Sequence, residues 1–82
     1  MADGKTPAAQ PDDWERALRG VDFPAAKVAV IRNVREIGGI DHEVLTMLDR
    51  LPQNEYETLE DMLADVRALY VADGVPQNSL PV

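Results

Sequence analysis

The chain has 82 residues, 45% of them apolar, no cysteine, and 15 acidic against 8 basic side chains, for a formal net charge of −7. The absence of thiols excludes disulfides, thiol catalysis and zinc-thiolate centres, and the negative charge opposes non-specific attraction to a phosphate backbone. The longest uncharged apolar run, Val28 to Ile31, falls far short of the roughly 20 residues that a membrane-spanning helix needs.

Residues 1–12 are short of large apolar side chains and read as a mobile, disordered N-terminal arm. Asp12 or Asp13 is placed to cap a first helix of about two turns, in which Trp14, Ala17 and Leu18 recur at helical spacing. Gly20 ends it. Phe23 and Pro24 restart the chain, and a second helix is expected from Pro24 or Ala26, with Val30, Val34 and Ile37 on one face and Val28 and Ile31 widening it. The β-branched run Lys27 to Ile31 also fits a buried strand, but the sequence offers no second strand to pair with it.

Gly38 and Gly39 close that helix, and Asp41 caps a third, whose stripe is Val44, Leu45, Met47, Leu48 and Leu51 before Pro52 stops it. Thr58, with Asp61 three places on, opens a fourth helix carrying Leu59, Met62, Leu63, Val66, Leu69 and Tyr70, which ends near Gly74. The expected architecture is all-α: a small bundle of four short helices over residues 13–73, with a mobile C-terminal tail over 74–82. A domain of about 60 residues buries only about 60% of the surface its unfolded chain exposes, so a second copy or a partner has surface to cover.

Charge is unevenly spread. Residues 14–37 carry five cations and three acids, a balance of +2, whereas residues 41–74 carry nine acids and two cations, a balance of −7. His42 stands between Asp41 and Glu43, but successive helical side chains point about 100° apart, so the three cannot converge on one metal ion. Glu57, Asp61 and Asp65 form an acidic ridge without the spacing of a calcium loop. Trp14, Phe23, Tyr56 and Tyr70 read as core anchors, with the Tyr56 hydroxyl in need of a partner. No phosphate-binding glycine loop and no nucleophile–base set can be assembled.

In order and spacing, Leu18, Gly20, Val21, Asp22, Phe23, Pro24, Lys27, Gly39, Asp41, Val44, Leu45, Leu48, Leu51, Pro52 and Tyr56 resemble a family of small uncharacterised bacterial domains, over about residues 16 to 66. The resemblance implies a short helical domain and transfers no activity, cofactor or catalytic residue. Two departures stand out: Ala26 replaces the family's usual hydroxyl cap, and Val28 stands where an acid often follows. The cap of the second helix then falls to Asp22 or to an earlier start at Pro24.

The expected function is a non-enzymatic protein-protein interaction or regulatory module that contacts itself or another protein, through Val28 and Ile31 on the second helix or Tyr70 and Val71 on the fourth. The alternative is a small architectural nucleic-acid binder using Arg16, Arg19, Lys27, Arg32 and Arg35, against which the acids at the start of the third helix argue. A metal or acid-base enzyme around His42 is the least supported class. No cofactor, metal ion or catalytic residue is expected. With no signal-type apolar region after Met1, a cytoplasmic protein is expected, away from any membrane.

Overall fold

A computed structural model of the chain describes residues 6–82. The stretches with apolar side chains at helical spacing are helices: α1 (Pro11–Leu18), α2 (Lys27–Ile37), α3 (His42–Asp49) and α4 (Leu59–Ala72). Their inward faces share one core, built on Trp14, Ala17, Val30, Val34, Val44, Met47, Leu48, Met62, Val66 and Tyr70. A period of about 3.6 residues sets those positions on one side of each helix, which is why the stripes become the buried faces. Helices α1, α2 and α3 pack on one another, and α4 joins them against α3.

Helix α1 starts earlier than the expected aspartate cap. Gln10 is the N-cap and Pro11 the first helical residue, while Asp13 accepts a 2.9 Å hydrogen bond from the Gln10 N–H from inside the first turn. Proline suits that position because the amide it lacks would have no helical partner there. The helix ends as expected, with Gly20 in the left-handed region at φ +81°.

Helix α2 starts later than expected, at Lys27 rather than at Pro24 or Ala26. Ala25 and Ala26 are extended instead (β1) and form a two-residue antiparallel ladder with Glu55 and Tyr56 (β2), Ala25 opposite Tyr56 and Ala26 opposite Glu55. A second strand therefore does exist, but it pairs with the residues just before the β-branched run, and the run itself is helical. Neither Asp22 nor Pro24 takes over the missing cap. Ala26 is an N-cap without a side-chain bond, and the Lys27 N–H donates across the ladder to the Asn54 carbonyl at 2.8 Å. The Lys27 ammonium reaches further, donating to the carbonyls of Asp49 (3.2 Å) and Leu51 (3.1 Å). Those carbonyls lie at the C-terminal end of α3, where no helical amide follows and a positive charge is favoured.

The other caps fall where the sequence places them. Gly38 and Gly39 both turn at φ +72°, Asp41 Oδ1 accepts from the Glu43 N–H at 2.8 Å, and Thr58 Oγ1 accepts from the Asp61 N–H at 3.1 Å.

Parts of both expected tails make contacts with the helices. Of the arm over residues 1–12, residues 1–5 lie outside the described residues, but Ala8 and Ala9 are held by their N–H groups, which donate to the Glu43 carboxylate at 3.2 and 3.1 Å, and Ala9 is buried. The C-terminal segment packs on the helices: Val75 and Pro81 are buried, Leu80 and Val82 partly so, and the Arg67 Nε donates to the Val82 carbonyl at 3.4 Å. A core this small leaves apolar surface that spaced Val and Leu side chains can cover without helical periodicity.

Replacing the absent cap gives a direct check. Ala26→Ser supplies an acceptor for the first-turn amides of α2 and is expected to raise stability by about 0.5–1 kcal/mol in urea denaturation. A lowered midpoint would show that Ala26 is not the working cap position.

Candidate docking surface

Tyr70 is not a surface residue. It is 2% exposed, packs edge-on to Trp14 with ring centroids 6.1 Å apart and an interplanar angle of 76°, and accepts from the Trp14 indole N–H at 3.0 Å. Its own hydroxyl donates to Glu43 Oε2 at 2.8 Å. A tyrosine in this stripe has a polar tip that burial obliges to find partners, and it finds them on α1 and α3. Of the four residues expected to meet a partner, Tyr70 is thus withdrawn into the core.

Its neighbour Val71 is 44% exposed and lies along a shallow cavity of about 710 Å³ with Ala64, Ala68, Ala72 and Leu80. A second apolar groove, of about 400 Å³, runs between α1, α4 and the C-terminal residues, lined by Pro11, Trp14, Leu18, Leu59, Leu63, Pro81 and Val82. Nothing charged in either groove lacks an intramolecular partner among the described residues: Arg67 donates to Val82, and Glu15 and Arg19 form an ion pair at 3.5 Å.

The outer strip of α2 is different. Val28, Ile31, Arg32 and Arg35 follow i, i+3, i+4, i+7 spacing and so share one side of the helix. Val28 is 62% exposed and Ile31 half-buried. Two adjoining depressions open beside them, one of about 330 Å³ between Val28, Ile31, Arg32, Arg35 and Asp49, and one of about 320 Å³ that continues past Ile31 and Arg35 to His42, Leu45, Thr46, Asp49 and Arg50 of the α3 segment. Val28 and Ile31 were legible as an over-wide apolar face. The contribution of Leu45 and Asp49 was not, although a stripe of two adjacent apolar residues, Val44 and Leu45, is a hint that one of them looks outward.

The five cations divide into two groups. Arg16 pairs with Asp12 at 3.7 Å and donates to the Gly38 carbonyl at 3.3 Å, Arg19 pairs with Glu15, and Lys27 holds the end of α3. Arg32 and Arg35 make no hydrogen bond and no ion pair among the described residues. Arg50, at the far end of the groove, is taken by Asp73 in a bidentate pair of 2.7 and 3.0 Å, and that hydrogen bonding raises its pKa further.

The remaining candidates are dispersed. His42 is exposed, with its carbonyl accepting from the Thr46 hydroxyl at 3.4 Å, and among the described residues no three His, Asp or Glu side chains are placed to hold a metal ion. The acidic ridge is broken: Glu57 precedes α4, and Asp65 is engaged by the Tyr56 hydroxyl at 2.7 Å and the Gln53 side-chain amide at 3.2 Å. Tyr56 is buried as expected, and burial, followed by the bond to Asp65, pushes its pKa up to about 12. Burial raises that of Tyr70 as well, opposed by the donation from Trp14 and reinforced by Glu43. Among the described residues no helix is long and apolar enough to cross a membrane.

Compared with known proteins, the chain matches over residues 9–63 a family model described as "Protein of unknown function (DUF2795)". No curated protein and no solved structure matches it. The matched region begins at the anchored Ala9 and stops inside α4, before Tyr70.

Two measurements check the buried tyrosines. Tyr70→Phe leaves the Trp14 indole N–H without its acceptor and is expected to cost about 1–3 kcal/mol in denaturant unfolding, whereas the exposed Val71→Ala should change stability little. In alkali, the folded state keeps the Tyr56 proton up to about 12, while the unfolded chain releases it near the ordinary value of about 10. The stability this contributes is complete below about pH 10 and is lost as pH rises through the folded value. Urea midpoints should be flat toward neutral pH and fall in that window, and the fall should shrink in Tyr56→Phe; an unchanged slope would refute the assignment.

Proposed function

With the chain established as a member of DUF2795, a family of unknown function, we propose that it is a non-enzymatic interaction module that docks another protein on the outer strip of α2. The observation that carries this is a coincidence of three kinds of side chain on one helix face: an isopropyl group left 62% exposed at Val28, a half-buried Ile31, and two guanidinium groups without partners among the described residues. Covering what remains exposed of Val28 is worth about 1–2 kcal/mol, and the two arginines supply direction and selectivity that an apolar patch alone lacks. The nucleic-acid alternative has less support, because Arg16, Arg19 and Lys27 are spent on helix ends and ion pairs and a molecule of net charge −7 repels a polyanion. The proposal carries with it a cytoplasmic setting, which the cysteine-free composition fits, and the bacterial origin that the resemblance to the family implies.

Val28→Glu tests the docking face with little risk to the fold, since the side chain is already in solvent. Expected is an unchanged far-UV circular dichroism spectrum and thermal midpoint, with capture of native partners weakened about tenfold, equivalent to about 1.4 kcal/mol. Val71→Glu on α4 should leave capture intact. Equal capture by wild type and Val28→Glu would overturn the proposal.

A further inference from the structure

We infer that the segment seated on α2 is an acidic stretch of polypeptide carrying an apolar anchor, an inference that rests on the docking proposal above. A guanidinium presents a planar fork of donors that matches a carboxylate, and Arg32 and Arg35 offer two such forks one turn apart. The depression of about 330 Å³ beside Val28 and Ile31 has the volume to take one apolar side chain. Asp49 stands on the opposite wall with an exposed side chain, and it separates polypeptide from nucleic acid as the occupant. A peptide backbone brings N–H donors to that carboxylate and can set its acids over the arginines and away from Asp49, whereas a phosphodiester backbone carries a negative charge at every residue and cannot avoid it. Stacking of unpaired bases also favours broad aromatic faces, and no Phe, Tyr or Trp lines either depression.

The rest of the surface enforces the choice. Glu55, Glu57, Glu60 and Asp61 are all exposed around the start of α4, so a carboxylate-rich segment is turned away there and attracted only to the basic end. That asymmetry orients the encounter before any contact forms. It also makes the association sensitive to ionic strength, because charges at an exposed rim are screened within about 8 Å at physiological salt.

Selection from a displayed library of random linear peptides, run in parallel on the wild-type chain, the Arg32→Glu/Arg35→Glu double variant and Val28→Glu, tests the inference. Binding of the selected peptides, and of a thymidine oligonucleotide, is then measured by fluorescence anisotropy. Expected on the wild type are peptides with a pair of Asp or Glu residues near a Leu, Ile, Phe or Met. Arg32→Ala and Arg35→Ala should each weaken them about tenfold, added salt should weaken them further, and the double variant should select Lys or Arg in place of the acids. Peptides without acids, or the same peptides selected by the double variant, overturn the acidic assignment while leaving the docking face standing if Val28→Glu abolishes their binding. Acidic peptides that bind Val28→Glu as tightly as wild type overturn the docking face itself. Binding of the oligonucleotide with no peptide enriched, or no enrichment at all at micromolar protein, overturns the inference outright.

Discussion

The relay of hydrogen bonds from Trp14 through Tyr70 to Glu43 is the constraint on which the rest of the arrangement depends. An indole N–H in the middle of a core must find an acceptor, and the Tyr70 hydroxyl is the one in reach. That hydroxyl must then dispose of its own proton, which goes to Glu43, and the carboxylate completes its shell with the N–H groups of Ala8 and Ala9. One chain of donors therefore fixes α1, α4, α3 and the segment before α1 relative to each other. Apolar contacts would tolerate many slightly different packings of four short helices; directional bonds between buried groups tolerate far fewer. Among the described residues no buried side-chain nitrogen or oxygen is left without a partner.

Local signals carried most of the fold. Apolar side chains at helical spacing, the two glycine turns and the Asp41 and Thr58 caps all depend on residues within a few positions of one another, so they can be read directly. What escaped was non-local. Pro24 looks like a helix start until Ala25 and Ala26 are drawn into an extended ladder by residues some thirty places away. Tyr70 was legible both as a core anchor and as a partner-facing residue, and the choice for the core rests on Trp14 and Glu43, which no spacing rule links to it. The C-terminal segment has no period, only Val75, Leu80 and Val82 at irregular intervals, and it packs because surface remained to be covered.

The docking strip was half readable for the same reason. An over-wide apolar face on α2 follows from the positions of Val28 and Ile31 alone. The sorting of five similar cations into three with structural duties and two without does not, because Arg16 and Lys27 act on carbonyls more than twenty residues distant. A basic residue that satisfies a helix-end carbonyl contributes to folding and little to recognition; one that has no partner keeps its charge for whatever arrives. That division, rather than the number of cations, distinguishes a basic cluster from a binding surface.

The seam between α4 and its neighbours has a consequence for how the unit is bounded. Likeness to the family stops at Leu63, whereas the phenol that closes the indole's bonding requirement belongs to the following two turns. The matched portion is therefore not self-sufficient in this protein: its central ring pair leans on residues beyond the matched span. Here the span that carries the likeness and the cooperative physical unit have different edges, and the second is longer.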